Sequence, residues 1–486
     1  MKFSFVYPNS TKTLTPQMGI LALASFLLER NVDVSVCDMS FVNDGLYLKL
    51  LDEHLAREKP DVLAISCRLM EYSVVQSLLR ELKKRSQRPL LLVGGPHATT
   101  RPESFTSLVD FGVRGEGEEA CLEIAQAVDA GRPADIADLP NVFHFKDGKP
   151  VLNPLRPLFD LSRAPFPRYE IFDERHYRDH YVLRAIPERR VCGTVEGSRG
   201  CPFRCTYCSN ATLMDMAQGK GRWRREKPAS MLREEIKRLK TLYDIDLLYF
   251  VDEVIMTSDQ RTADLREHLH DLNVPFTFME RPELVRENRV RDMKSAGATW
   301  CSLGVESGNH EFRKALLKRT MPDESIRQAF QMMHKYGIKT HAFTMVGLPN
   351  QTPEIMRETF QILEEIQPNS AQATVFFPLP NTQLEILTRE NGLLPEGVSI
   401  PQNYYARSVL NYSEPYKLLV ERFELVISLG LWRKKTNRLV RWLALNVPHV
   451  AHLMHYWRAA ATNLKEIGLW QTASKVWARL LPARSV

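Results

Sequence analysis

Three cysteines fall within eight residues: Cys201, Cys205 and Cys208, in the run SRGCPFRCTYCSN from Ser198 to Asn210. Thiolates bunched on a loop that carries Gly200 and Pro202 can close around one iron–sulfur cluster, and a [4Fe–4S] cluster ordinarily takes four Cys ligands. Three ligands leave one iron open to an outside group, which catalysis needs and simple electron transfer does not. Spacings of three and then two intervening residues differ from the paired C-x2-C knuckles of structural zinc. A structural metal or unrelated buried thiols is the competing reading. The other five cysteines, Cys37, Cys67, Cys121, Cys192 and Cys301, are scattered and read as reduced, buried thiols. Cys192 lies close enough in sequence to be a candidate fourth ligand.

Carboxylates gather at expected strand ends further on. Glu306 and Ser307 lie in LGVESG (303–308), Asp252 and Glu253 in YFVDEV (249–254), and Gly347 and Pro349 in MVGLP (345–349). The cysteine run resembles the CxxxCxxC signature of the radical S-adenosylmethionine (SAM) superfamily, and 303–308 resembles that family's GxESG element. The resemblance implies a cluster held by Cys201, Cys205 and Cys208, SAM chelated at the open iron, and reductive cleavage to a 5′-deoxyadenosyl radical. It implies that Tyr207 lies near adenine, that Glu306 meets the ribose hydroxyls and that Ser307 belongs to the SAM site. Asp252 and Glu253 would meet the SAM ammonium or the substrate, and Gly347 and Pro349 would approach adenine. Packing under the loop for Tyr207 and a solvated strand end for Glu306 are the plainer alternatives. PLPNT (378–382) has Asn381 where the family usually has glycine, a residue that tolerates left-handed angles.

The elements that must position these residues alternate short apolar strands with amphipathic helices. In the first part the expected strands are Lys2–Tyr7, Val32–Cys37, Val62–Ser66, Leu90–Val93 and Asp110–Arg114, which predicts a parallel sheet covered on both faces. Ligands bind over the carboxyl ends of such strands. No GxGxxG follows the first strand, which argues against a dinucleotide. Glycine pairs alone would read as tight turns. Met18 and Gly19, then Ser66 and Cys67, then VGGPHA with Gly94, Gly95, Pro96 and His97, then VRGEGE with Gly115, Glu116, Gly117 and Glu118, together resemble a cobalamin-binding domain. It is similar to the one ahead of the barrel in B12-dependent radical SAM enzymes, and implies cobalamin contacts for those residues. The DxHxxG signature of other B12 proteins is missing, echoed only by Asp52 and His54 with Arg57 in the glycine's place. That suits this branch, which typically binds cobalamin without the histidine, and also leaves open a degenerate domain without B12.

Residues 131–190 are Pro-rich and irregular. From Val191 the alternation resumes, with strands expected at Cys192–Glu196, Leu247–Asp252, Phe276–Glu280, Thr299–Gly304, Lys339–Val346 and Gln372–Phe376, six units of a partial TIM-type barrel. The fold expected is α/β. Residues 1–150 form a doubly wound, Rossmann-like cobalamin-binding domain and 151–190 a linker. Residues 191–396 form a (β/α)6 radical SAM barrel, and 397–486 a helical region.

With 44% hydrophobic and 25% charged residues the composition is globular, and no apolar stretch is long enough to span a bilayer. The N-terminus reads as a strand rather than a signal peptide, so a cytoplasmic protein is expected. The net charge of +7 is concentrated: residues 431–486 hold ten Lys and Arg against Glu466, leaving 55 basic and 57 acidic residues elsewhere, so nucleic-acid binding is not implied. Five of seven tryptophans (Trp432, Trp442, Trp457, Trp470, Trp477) also fall in this tail. Helices expected at Tyr416–Leu429, Lys435–Leu445 and Val450–Leu464 either cap the barrel or lie on a membrane surface. The function expected is methylation of a carbon centre in a small-molecule or lipid substrate, with electrons from a carrier such as flavodoxin or ferredoxin. Ring contraction, cyclisation or oxidation without methyl transfer, and a non-catalytic iron–sulfur or corrinoid sensor, are the rivals.

Overall fold

A computed structural model describes residues 1–178, 190–397, 407–433, 438–447, 450 and 453. The N-terminal sheet runs β2 (Asp33–Asp38), β1 (Lys2–Tyr7), β3 (Val62–Ser66), β4 (Leu90–Gly94) and β5 (Phe111–Val113), all parallel. The inner strands β3 and β4 are apolar at nearly every position because helices cover both faces, whereas the edge strand β2 carries Asp33, Ser35 and Asp38. Phe3, Phe5, Ala64 and Leu92 pack with Ile20, Leu21, Leu27 and Ile124 of helices Met18–Leu28 and Glu118–Asp129. Their neighbours Val6, Leu63, Ile65, Leu91 and Val93 pack on the other side, with Leu51, Leu79 and Leu82 of helices Tyr47–Glu58 and Tyr72–Lys83. With β1 between β2 and β3, the chain leaves in opposite directions at β1/β3 and opens a crevice above their carboxyl ends.

His54, the echo of a B12 histidine, is not in that crevice. It is buried under the far face, with its Nε2 2.5 Å from Ser4 Oγ, a satisfied core histidine. The sheet continues where the sequence reads as irregular: an antiparallel hairpin, β6 (Val142–Lys146) and β7 (Lys149–Leu152), extends the β5 edge. The following segment is packed rather than free. Tyr169, Phe172 and Tyr177 are buried, and His176 bonds to Leu14 O (2.7 Å) and Asp38 (2.6 Å).

The second body is a parallel six-stranded sheet in chain order: β8 (Cys192–Val195), β11 (Leu247–Phe250), β12 (Phe276–Glu280), β13 (Ala298–Glu306), β14 (Lys339–Val346) and β15 (Ser370–Val375). Among the described residues β8 and β15 do not pair, so the barrel is open. Just after β8 a small antiparallel ribbon, β9 (Ser198–Arg199) with β10 (Arg225–Glu226), starts the cysteine loop. Helix Glu414–Ser428 covers the β15 edge, where Phe423 stacks on Phe360 (4.9 Å between ring centroids) and Ser428 Oγ accepts the Ala373 N–H (3.3 Å). Trp432 is buried beside it. Helix Arg438–Asn446 instead leaves Leu439 and Trp442 more than half exposed, at 59% and 55%. Nearly all of Val450–Leu464, with Trp457, Trp470 and Trp477, lies outside the described residues. No helix among the described residues is long and apolar enough to cross a membrane.

Candidate functional site

The cysteine loop is held by a residue that the sequence reading passed over. The Asn210 side chain accepts the Cys201 N–H (2.9 Å) and the Trp223 indole N–H (2.9 Å), and donates to Cys201 O (2.9 Å) and Phe203 O (2.9 Å). Both its donors and both its acceptor directions are used, so one buried amide fixes the loop at four points. Thr206 ties the same loop to the next part of the barrel through Leu316 O (2.6 Å). Cys205 is buried and Cys201 and Cys208 are partly covered; burial pushes the last two thiols up to about 11. Two buried guanidiniums face Cys205 Sγ: Arg281 at 2.8 Å and Arg319 at 4.0 Å. Three thiols with buried cations beside them suit a group that binds thiolates and carries net negative charge, as a thiolate-ligated cluster does. Among the described residues no three His, Cys, Asp or Glu side chains converge on a single-ion site. Cys192, at the start of β8 rather than its end, bonds back to Gly193 O (3.3 Å) and does not join the loop.

The acidic pair at the end of β11 divides into two roles. Asp252 is buried and already bonded, accepting from Gly197 N (2.9 Å) and from Ser198 Oγ, which also receives Arg224. It braces the start of the cysteine loop and does not face a ligand. Glu253 makes no comparable bonds and is solvent-exposed on one side, near Cys201 and Cys208. Desolvation by the surrounding wall, then the Asp252 charge, pushes its carboxyl above the ordinary range. A further carboxylate missed in the sequence, Glu280 at the end of β12, accepts three backbone N–H groups, from Ile255 (3.1 Å), Met256 (2.7 Å) and Arg281 (2.8 Å), and so fixes the turn after Glu253. An acidic residue on a strand end followed by Arg-Pro was its only sequence signal.

Glu306 ends β13 at a bulge with φ +67°, a left-handed angle that a glutamate adopts only under constraint. Arg319 supplies that constraint, bonding Gly304 O (2.5 Å) and lying 3.6 Å from the Glu306 carboxylate. Arg319 also reaches the Tyr207 hydroxyl (3.4 Å), so Tyr207, Glu306 and Cys205 converge on one cation. Ser307 is wholly buried, its carbonyl bonded by Arg313 (2.7 Å). Gly347 needs its φ of +75°, and a Cβ there would meet Val420 at 3.0 Å. Pro349 is buried in the same turn, and Asn381 holds a left-handed angle of +61°.

In the N-terminal domain a cavity of about 350 Å³ opens at the β1/β3 crevice. Gly19, Ser66, Gly94, Gly95, Pro96, Gly115, Glu116, Gly117 and Glu118 line it, above an apolar floor of Phe5, Ile20, Leu23 and Leu92. A Cβ at Gly94 would meet nothing nearer than Val113 O at 3.9 Å, so the glycine leaves open space at the rim. A wide apolar slot with bare backbone at its rim fits a flat macrocycle, and among the described residues no histidine lines it. Three expected contacts lie elsewhere. Met18 starts the helix and packs on the core, and Cys67 is buried with its backbone bonded to Gly94 O (2.9 Å). His97 turns away from the cavity to pack at a tilt against Tyr72 (4.6 Å between ring centroids) and edge-on to Phe105 (5.7 Å).

Glu116 and Glu118 are wall residues whose carboxylates already have partners. Arg225 grips Glu116 with two bonds (2.8 and 2.8 Å), Phe159 N adds a third (2.7 Å), and Arg199 bonds both Glu116 (3.2 Å) and Glu118 (2.6 Å). Arg199 and Arg225 are opposite each other on the β9–β10 ribbon, so the start of the cysteine loop is clamped to the cavity wall. Neither arginine stands out in the sequence, because the ribbon has only two residues per strand.

Comparison with known proteins agrees with this geometry. The family model described as the Radical SAM superfamily matches residues 195–363, and that of the B12 binding domain matches residues 6–125. The chain carries both domains of the B12-binding radical SAM enzymes. An uncharacterized methyltransferase of Pyrococcus horikoshii is 27% identical over 79% of this chain and 80% of that protein. The anaerobic magnesium-protoporphyrin IX monomethyl ester cyclase of Rubrivivax gelatinosus is 26% identical over 79% of this chain and 69% of the cyclase. The fold is shared with the radical SAM methyltransferase TsrM of Kitasatospora setae, solved with cobalamin and a [4Fe–4S] cluster, at TM-score 0.65 and 18% identity over 82% of this chain and 79% of that one. Within this B12-binding radical SAM enzyme the matched segments contain the cysteine loop and the glycine-rimmed cavity.

Proposed function

We propose that this enzyme holds a [4Fe–4S] cluster on Cys201, Cys205 and Cys208, binds SAM beside it and cobalamin in the N-terminal cavity, and methylates a carbon centre of a small-molecule or lipid substrate. The observation that carries this reading is adjacency: Arg199, two residues ahead of Cys201, sits in the wall of the cavity. With both cofactors bound, the cluster would supply the electron for reductive cleavage of SAM and cobalamin would supply the methyl group. The chain's own residues position and screen. Arg281 and Arg319 offset the thiolate charge, Glu253 faces the SAM ammonium, and Glu306 faces the ribose, with the wholly buried Ser307 holding the turn behind it. Tyr207, Gly347 and Pro349 form the adenine side. Asp252 acts indirectly, through Ser198 and Gly197.

The similarity to a cyclase favours a second reading, radical chemistry without methyl transfer. Product analysis separates them. Anaerobic turnover that yields S-adenosylhomocysteine together with 5′-deoxyadenosine supports methylation, and 5′-deoxyadenosine alone supports the second reading. An apolar or lipid substrate is favoured by the exposed Leu439 and Trp442 on a strongly basic tail, which suit peripheral contact with a membrane from the cytoplasmic side. A flavodoxin or ferredoxin is the proposed electron donor.

A further inference from the structure

Reductive cleavage takes one electron from outside, and the sides of the cysteine loop are not equally open to a donor. Cys205 faces inward, under Arg281 and Arg319. On a second side Arg199 binds the loop to Glu116 and Glu118 of the N-terminal domain. The outer face remains, where Pro202 and Arg204 within the loop are exposed.

A second segment, 217–223, folds onto this face. Trp223 bonds Asn210 and packs on Gly200, where a Cβ would meet Trp223 O at 2.6 Å. The segment brings Lys220 and Arg222. From 199 to 227 the chain has seven Lys and Arg against Asp215 and Glu226. Arg199, Arg224, Arg225 and Lys227 are taken up by inward bonds to Glu118, Ser198, Glu116 and Glu235. Arg204 pairs with exposed Asp215 (2.5 Å), and Arg222 is exposed. Neither Lys220 nor Arg222 forms an ion pair among the described residues. Asp160 is an exposed carboxylate on the neighbouring segment, which Leu158 joins to Lys220 O (2.7 Å).

We propose that Arg204, Lys220 and Arg222 form the docking face for an acidic, low-potential one-electron carrier protein. The proposal rests on the cluster assignment made above. The reduced carrier loses one electron and the cluster gains it, with no atom or proton transferred. Lys220 and Arg222, without an ion pair among the described residues, steer an acidic partner and raise its encounter rate; Arg204 joins them by exchanging its exposed pair with Asp215 for the partner's carboxylates, and Trp223 keeps that face in contact with the ligand loop.

The test is binding of a bacterial flavodoxin to the cluster-free protein by calorimetry at low salt, for the wild type, the Lys220→Glu/Arg222→Glu variant and Arg204→Gln. The double variant is expected to bind about tenfold more weakly and Arg204→Gln severalfold more weakly, with wild-type affinity falling as salt rises. In reconstituted protein, flavodoxin should reduce the double variant's cluster about tenfold more slowly, with dithionite reduction unchanged. Equal binding by wild type and double variant, or no binding by wild type, overturns the docking face. Failure of dithionite-reduced protein to cleave SAM would instead count against the cluster reading, and the binding comparison still decides the docking face.

Discussion

Asn210 commits its whole side chain to the cysteine loop, which makes it the most sensitive non-ligand in the site. Asn210→Ala leaves the Cys201 and Trp223 N–H groups without their partner, at about 1–3 kcal/mol for each group left buried and unsatisfied. The expected outcome is a severalfold drop in iron retained after anaerobic reconstitution, with far-UV circular dichroism unchanged. The acidic pair gives a sharper contrast. Glu253→Gln should weaken SAM binding, read by equilibrium dialysis, without loss of iron. Asp252→Asn, which disturbs Gly197 and Ser198, should lose iron as well. Equal effects on both measurements would contradict the division of roles. His97 and His341 give the acid limit: burial lowers both from the ordinary 6.5 to about 4, with Arg101 adding to the effect at His97. Each is neutral in the fold and takes a proton on unfolding below 6.5. Stability is therefore full above pH 6.5 and lost as pH falls toward 4, by about 2 kcal/mol per histidine at pH 5. Urea midpoints at pH 7 and pH 5 measure this, and His97→Phe, retaining the ring contacts with Tyr72 and Phe105, should shrink the difference.

At the scale of elements, strand ends do the positioning. Gly94, at the end of β4, has room for a side chain that would point into the cavity, whereas Gly95 has φ +91° and a Cβ there would meet Cys67 O at 3.0 Å. Gly94→Leu should thus fold normally and lose hydroxocobalamin binding by about tenfold or more, since filling a fitted site costs about 1–3 kcal/mol. Gly95→Ala should instead lower thermal stability. Hydroxocobalamin binding unchanged in Gly94→Leu would remove the cavity from the account. Such ends were readable in the sequence wherever an apolar run stopped at glycine, a carboxylate or a cysteine, which is why the six barrel strands and the cavity rim emerged close to their observed bounds. The hairpin at 142–152 was not, because Pro150 within it, Pro140 and Pro154 on either side and a short alternation look like loop. Nor were the roles of His97 and Cys67: spacing puts them beside the rim glycines but does not say on which side of the backbone they fall.

For the whole molecule, function depends on two bodies with their working ends together. Their junction is made by long-range ion pairs, Arg199 and Arg225 with Glu116 and Glu118, and by Asn381 bonding Thr100 O (2.6 Å). Contacts between residues some eighty to three hundred positions apart carry no local pattern, so each domain was legible from sequence and their clamp was not. The clamp has its own consequence: Arg225→Gln, which gives up two bonds to Glu116, should weaken cobalamin binding severalfold while iron content holds. The central claim is that one chain carries both cofactors, and the direct measurement is iron and corrin per chain after anaerobic reconstitution with iron, sulfide and hydroxocobalamin. About four irons, as one cubane cluster requires, with about one corrin is the predicted result. Four irons without corrin would contradict the two-cofactor account and leave radical chemistry without cobalamin.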